Sequence, residues 1–181
     1  MSTKHHLKRY VKNMSYHVYN RGARQEVIFH DKYDFICFRR ILFGEADKRE
    51  PHLTLEYYCI LPNHYHLLIN QQKSREIVSY QSSIALRYGR YYRKKYYHHG
   101  RLFESSYKAI CLPHQHDVNR TIDYILSNPA KKGYLSWPYF GKKTKVWSGD
   151  NLYLLIEENL LPRYTPTAIM VTATTSIGFK T

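Results

Sequence analysis

The chain has 181 residues, enough for one domain to bury a core without disulfides or a structural metal. Lys and Arg number 28 against 14 Asp and Glu, so the formal net charge of +14 attracts polyanions, nucleic acid first and an anionic membrane surface second. Three widely spaced cysteines without a Cys-x-x-Cys pair are typical of buried thiols in a reducing compartment. No apolar run approaches the roughly 20 residues that span a bilayer, and the basic N-terminus does not resemble a secretory signal. We therefore expect a cytoplasmic protein without a membrane partner.

Hydrophobic periodicity predicts strands and helices in alternation along the first half of the chain. Residues 15–19 alternate in the manner of a strand, and Asp31 is a candidate cap for a helix that follows it. Residues 53–60 predict a second strand. Residues 64–69 predict a third, antiparallel to the second across the short break at 61–63.

The second half of the chain predicts two long helices. The first covers residues 74–96 with Ser74 as its cap, and a strand follows from Gly100 to about Ile110. The second helix covers residues 113–128 and should end there, because Pro129 disfavours helical geometry in the residue before it.

Three segments differ in composition and predict the domain organisation. Residues 1–13 are a basic arm, residues 14–161 form the domain, and residues 162–181 are a Thr-rich tail that resembles a flexible extension. A short apolar stretch at 152–161 predicts one more helix at the end of the domain.

Two histidines at the start of the third strand are the first candidate site. Side chains two apart on a strand share a face, so His64 and His66 are able to hold one divalent cation. The similar pair His114 and His116 lies near a helix start, where side chains two apart diverge. A His-x-His pair alone is a weak signal in a chain with 11 histidines.

The helix at 113–128 carries a second set of polar residues. Its apolar positions recur at helical spacing and predict the core-facing stripe. Tyr124 and Asn128 lie one turn apart, and we expect them on the opposite, polar side near Asp117 and Arg120. The stripe consists of Val118, Ile122, Ile125 and Leu126.

The end of the helix at 74–96 is the densest basic and aromatic cluster in the chain. A charge run is usually a solvated face, but cations interleaved with tyrosines on a basic protein favour nucleic-acid contact. Candidate nucleic-acid-binding residues are Arg21, Arg87, Arg90, Arg93, Lys94 and Lys95.

Four motifs in a fixed order resemble the REP-associated tyrosine transposases of the HUH endonuclease superfamily, a single-tyrosine, IS200-like group. They are YHVYNRG at 16–22, LPNHYHLL at 61–68, GRLF at 100–103 and DYILSNP at 123–129. The resemblance implies an α+β fold, a central antiparallel sheet flanked by helices as in ferredoxin-like and RRM-like HUH domains. One departure is Glu104-Ser105-Ser106, where the family more often has a polar residue, Gly and a cation.

The resemblance also implies a site and a substrate. His64, His66 and Asn128 match the family's metal ligands for Mg²⁺ or Mn²⁺, and Tyr124 matches its catalytic tyrosine. The implied reaction is cleavage and strand transfer of single-stranded DNA with palindromic REP hairpins, through a covalent 5′-phosphotyrosine. A monomer is expected, with a helix-exchanged dimer as the alternative. A catalytically silent nucleic-acid-binding domain and a purely structural protein are the competing hypotheses.

Overall fold

Residues 10–143 are described by a computed structural model, and their strands form one antiparallel sheet. The strands are β1 (Met14–Arg21), β2 (Leu53–Leu61), β3 (His64–Gln71), β4 (Lys108–Leu112) and β5 (Phe140–Lys142). Their order across the sheet is β4-β1-β3-β2-β5, which makes β3 the central strand. The α+β fold with a central antiparallel sheet that the sequence predicted is confirmed.

Three helices pack on this sheet: α1 (Lys32–Asp47), α2 (Glu76–Tyr96) and α3 (Gln115–Lys131). Tyr65 on β3 faces α1 and α2, since its ring lies 5.0 Å from that of Phe38 and its hydroxyl donates to Gln81 at 2.7 Å. His66 faces α3, whose Tyr124 ring lies 5.2 Å away. The period of two along β3 thus separates a core face from a histidine face. Among residues 10–143, no helix is both long and apolar enough to cross a bilayer.

The tight turn between β2 and β3 is fixed from outside by the loop after β1. The Pro62 carbonyl accepts from the backbone N–H groups of Ile28 and Phe29 at 2.9 and 3.0 Å, and the Asn63 carbonyl accepts from Gly22 at 2.8 Å. A Cβ on Gly22 would lie 2.2 Å from the Glu26 carbonyl oxygen, so only glycine fits this approach. The loop therefore determines where β3 and its histidines begin.

The predicted cap of α1 is confirmed and that of α2 is wrong. Asp31 accepts from the backbone N–H groups of Tyr33 and Asp34 at 2.9 and 3.1 Å. Helix α2 begins at Glu76, after a left-handed Arg75 that makes no side-chain cap. The Gln71 side chain at the end of β3 accepts from Ile77 N–H instead, at 3.0 Å, and leaves Ser74 no capping role.

Two other predicted boundaries are also wrong. Strand β4 begins only at Lys108, because the segment before it crosses the end of β1 and bonds there: Ala23 N–H donates to the Leu102 carbonyl and Glu104 N–H to the Arg21 carbonyl, each at 2.9 Å. Helix α3 continues past Pro129 to Lys131, because a proline in the last turn removes one backbone bond of a helix that is otherwise complete.

A glycine follows the end of α3, and both chain termini lie beyond the described residues. Gly133, with φ of 82°, donates to the Ala130 carbonyl at 2.9 Å just after the end of α3. The predicted helix at 152–161, the tail at 162–181 and most of the basic arm at 1–13 lie outside the described residues, so the domain bounds stay a prediction.

A buried carboxylate joins α1 to α2. Glu45 is only 5% exposed and bonds Lys48, Arg49 and Arg87 at 2.9, 2.8 and 2.6 Å. Burial alone would raise the pKa of this carboxyl, but the hydrogen bonds from the three cations lower it to about 2. Arg87, a candidate nucleic-acid-binding residue, is therefore also part of the helix packing.

We expect Glu45→Gln to lower the free energy of unfolding at pH 7 by about 1–3 kcal/mol, because three cations lose their anion. The folded pKa lies below the ordinary value of 4.5, so the carboxylate stabilises the fold above about pH 4.5, and this contribution is lost as pH falls toward 2. Urea unfolding at pH 7 and pH 3 should show a smaller pH dependence in the variant. Glu104→Gln, which removes an exposed pair with Arg21, should change little; equal losses from both variants would contradict this account.

Candidate active site

The two histidines of β3 occupy the strand face that the sequence predicted. Their rings are perpendicular, with centroids 5.1 Å apart. His66 is 6% exposed, whereas His64, at the end of the strand beside the turn, is half-buried. The pair therefore lies at the start of β3, with His64 the more accessible of the two.

Both imidazoles are held through Nδ1. The His64 Nδ1 lies 2.6 Å from Asn63 Oδ1, and because a carbonyl oxygen only accepts, His64 donates there. The His66 Nδ1 lies 2.9 Å from His17 Nε2. When His66 donates in this bond, both β3 histidines direct an Nε2 lone pair outward, the tautomer that metal-ligating histidines adopt with a hydrogen-bonded partner behind them.

His17 is a site residue that sequence reasoning missed. It lies on β1, where Tyr19 pairs with His66, and its ring centroid is 5.1 Å from that of His66 and 5.7 Å from that of Tyr124. The sequence pattern already places His17 and Tyr19 on one face of the first strand. This shared face indicates a site residue only when β1 is known to pair with β3.

The three imidazoles are neutral at pH 7. Burial lowers the pKa of His17 and of His64 to about 4 and that of His66 to about 2. Lys132, just beyond α3, adds to the effect on both β3 histidines. Neutral rings keep their lone pairs available, which suits metal binding and hydrogen bonding to a substrate.

Tyr124 projects from α3 over the histidines. Its ring stands edge-on to His66 at 5.2 Å, and the side chain is 41% exposed. Lys131, two turns further along α3, places its Nζ 5.9 Å from the Tyr124 ring. A second tyrosine, Tyr19, has its ring 5.6 Å from His66 on the sheet side. The Tyr124 ring is thus close to His66 and partly exposed to solvent.

Asn128 lies one turn beyond Tyr124 but is not on a polar face. It is 3% exposed and in line with Thr121 and Ile125, which form the buried face of α3. The expected apolar stripe is only partly correct, since Ile125 is buried while its other members are half-buried; these are Val118, Ile122 and Leu126. The buried face of α3 therefore lies nearer to Tyr124 than the spacing of its apolar residues predicted.

The Asn128 amide is incompletely bonded. Its Nδ2 has no hydrogen-bond partner among the described residues. Because amide oxygen and nitrogen exchange places by rotation, either atom is able to point into the site. A buried amide without a partner is unusual in a folded protein and suits a ligand-binding position.

The candidate donors are of types that bind divalent cations. Two imidazole nitrogens and an amide oxygen suit a first-row divalent ion with open positions for other ligands. Across residues 10–143, no group of three His, Cys, Asp or Glu side chains is placed to hold a metal, so a cation at His64 and His66 would need a further donor of another type, such as the Asn128 amide.

A groove of about 410 Å³ runs beside Tyr124 on the outer side of the histidines. Its lining includes His17 of β1 and Asp117, Arg120 and Tyr124 of α3. The proximity of Asp117 and Arg120 to Tyr124 agrees with helical spacing. The groove therefore borders the exposed Tyr124 side chain.

The candidate nucleic-acid-binding cations fall into two groups. Three of them have acidic partners: Arg21 pairs with Glu104, Arg87 with Glu45, and Lys95 with Asp31 and Asp34 at 2.7 Å each. The other three are exposed on α2 and have no acidic partner within the described part of the chain; these are Arg90, Arg93 and Lys94. The α2 helix lies on the sheet face opposite the histidines, so these cations do not belong to the histidine site.

Comparisons with known proteins show similarity at the level of structure. No family model and no curated protein sequence matches the chain. A REP-associated tyrosine transposase bound to a REP hairpin is similar with a TM-score of 0.62 and 15% identity, over 90% of this chain and 89% of that one. A candidate transposase from Deinococcus radiodurans R1 has a TM-score of 0.47 and 19% identity, over 70% of this chain and 97% of that one. The first likeness shows the fold that the sequence resemblance implied.

The unpaired amide makes a prediction about stability. In metal-free buffer, we expect Asn128→Leu to leave the free energy of unfolding unchanged or to raise it by about 1 kcal/mol, because an apolar side chain of similar size removes a buried group that lacks a partner. Asn128→Ala should lower it, because that variant leaves a cavity. Chemical unfolding of both variants in EDTA provides the measurement. A clear loss of stability in Asn128→Leu would mean that the amide is bonded within the fold.

Proposed function

We propose that this protein is a metal-dependent single-stranded DNA endonuclease and strand transferase of the REP-associated tyrosine transposase type. The observation that carries the proposal is the contact of the Tyr124 ring with His66 at 5.2 Å, which joins a nucleophile on α3 to the histidine pair on β3. The Asn128 amide and the Lys132 charge lie at the same end of α3. The fold shared with a transposase bound to a REP hairpin and the net charge of +14 support DNA as the substrate.

The site residues have separate roles in this mechanism. His64, His66 and Asn128 would hold Mg²⁺ or Mn²⁺, which when bound withdraws charge from the non-bridging oxygens of a phosphodiester. His17 and Asn63 fix the rings of the two ligating histidines through Nδ1. Lys131 and Lys132 add positive charge beside the path of the DNA strand.

Tyr124 is the nucleophile in the proposed reaction. Its oxygen forms a bond to phosphorus while the bond from phosphorus to the 3′ oxygen breaks. The phenolic proton passes to solvent, which reaches this exposed side chain, and the departing 3′ oxygen takes up a proton to become a hydroxyl. The product is a 5′-phosphotyrosine, and a 3′-hydroxyl from another strand reverses the step and joins DNA. We expect a monomer to suffice, because Tyr124 and His66 meet within one chain.

A catalytically silent DNA-binding domain is the second candidate. Arg90, Arg93 and Lys94 on α2 have no acidic partner among residues 10–143, and they favour nucleic-acid contact whether or not cleavage occurs. Formation of a covalent adduct separates the two candidates.

We expect the protein to form a covalent adduct with a labelled hairpin-bearing single strand in Mn²⁺, detected on a denaturing gel. Tyr124→Phe should abolish the adduct, because it removes the attacking oxygen. Tyr19→Phe is the matched control beside the same histidine, and Tyr91→Phe is the control on α2, where the hydroxyl bonds Asp34. Both controls should keep the adduct.

Loss of the adduct in Tyr19→Phe together with its retention in Tyr124→Phe would mean that Tyr19, and not Tyr124, is the nucleophile. The absence of an adduct from the wild-type protein, across a panel of palindromic hairpins, would favour the binding domain.

His17→Ala should weaken Mn²⁺ binding by roughly 10–100-fold, because His66 loses the partner that fixes its ring and tautomer. Titration calorimetry with metal alone provides the measurement. His17→Gln should recover part of the affinity, since its amide oxygen is able to accept from the same N–H. His114→Ala, which removes an exposed imidazole near the start of α3, is the control. Equal affinity in His17→Ala and the wild-type protein would show that His17 only fills space.

A further inference from the structure

A second pocket of about 380 Å³ opens on the sheet face away from the histidines. It lies between α2 and the segment 100–107, with Tyr65 and Asn20 of the sheet at its base. Its size falls within the roughly 300–1,000 Å³ typical of small-ligand sites. The mechanism proposed for Tyr124 does not use it.

The base of the pocket holds a buried donor without a partner. Gln81 is 3% exposed, and its Oε1 accepts from the Tyr65 hydroxyl at 2.7 Å. That bond leaves the Gln81 Nε2 as a donor, and it has no partner among the described residues. Buried donors in folded proteins nearly always have an acceptor, so the position calls for an acceptor atom from a ligand.

The wall next to Gln81 is held in place. Asn20 accepts from Arg21 N–H at 2.9 Å, which makes its Nδ2 the donor to the Ser105 carbonyl at 3.2 Å. This bond ties the segment 100–107 to the end of β1. The pocket is thus formed before any ligand arrives.

Small side chains on α2 create the open volume. Ser82, Ala85 and Gly89 recur at three and four residues and line the pocket on one helix face. Arg93 follows on the same face, and a Cβ on Gly89 would lie 3.4 Å from its guanidinium. Arg93 has no acidic partner within residues 10–143.

The lining attracts an anion that also carries an apolar part. Arg93 and Arg101 contribute two cations, and none of the lining residues is acidic. Phe103 and Tyr107 contribute aromatic surface at the opposite wall. Free phosphate would satisfy the cations but leave the aromatic wall without a contact.

We propose that this pocket binds one unpaired nucleotide of a single-stranded DNA substrate. The base packs against Phe103 and accepts a hydrogen bond from Gln81, and the phosphate binds Arg93. A base within a duplex is stacked and paired and does not enter such a pocket. The inference rests on the proposed function for its substrate, and it assigns to the face opposite Tyr124 a role in holding the strand.

The test compares two arginines on the same helix. In the Tyr124→Phe background and in EDTA, so that cleavage is absent, the dissociation constant of a fluorescent dT oligonucleotide is measured by anisotropy at about 150 mM salt. Arg93→Ala should weaken binding about tenfold. Arg90→Ala removes an equal charge outside the pocket and should weaken it only about two- to threefold.

A third variant fills the pocket without changing charge. Ala85→Leu places a larger side chain in the opening and should also weaken binding about tenfold. Position 85 is exposed, and the neighbouring Leu86 is already an exposed leucine, so the fold should tolerate it. Thermal unfolding of all three variants checks that they are folded.

Competition identifies the ligand. Thymidine monophosphate should compete with the oligonucleotide in the wild-type protein and not in Ala85→Leu, whereas inorganic phosphate at the same concentration should not compete. Equal losses in Arg93→Ala and Arg90→Ala, unchanged binding in Ala85→Leu, or competition by phosphate alone would each overturn the proposal.

Failure of the pocket and failure of the proposed function give different results. A wild-type adduct together with equal losses from the two arginine variants retains cleavage and rejects the pocket. A binding difference between those variants without any adduct retains the pocket and rejects cleavage.

Discussion

The pairing of β1 with β3 is the constraint on which the candidate site depends. It places Tyr19 opposite His66 and brings His17 within 2.9 Å of the His66 ring nitrogen. The loop after β1 then bonds the turn before β3, so the same two strands also fix the position of His64. Helix α3 adds Tyr124 and Asn128 to an arrangement that the sheet has already oriented. The proposed nucleophile on a helix and the proposed ligands on a central strand would combine precision with access, because strand positions are rigid and Tyr124 is 41% exposed.

The sequence predicted what local rules determine. The alternation of residues 64–69 placed His64 and His66 on one face, and Asp31 was identified as a cap from residue type alone. What it missed depended on contacts between distant segments. Gln71 replaced Ser74 as the cap of α2 because the end of β3 lies beside the helix start. Asn128 was expected on a polar face, yet α3 rotates its tyrosine side toward the sheet and buries the amide.

The basic cluster on α2 shows the same limit. Composition alone predicts that its cations act as one group. In the structure, Arg87 and Lys95 pair with acidic residues of α1, whereas Arg90, Arg93 and Lys94 are exposed. No local pattern separates these two groups, because Glu45 and Asp34 lie some forty to sixty positions away along the chain. Two of the five candidate cations on α2 thus contribute to holding the two helices together. A count of charges therefore overstates the surface that is free to meet a phosphate backbone.

Tyr65 stands between the two histidines in sequence and on the other side of the sheet in space. Its hydroxyl bonds Gln81 at the base of the second pocket, and its ring packs against Phe38 in the core. One peptide unit on either side leads from this side chain to a candidate metal ligand. A change of shape at Tyr65 would therefore act on the core beneath the histidine strand and on the floor of the distant pocket at once.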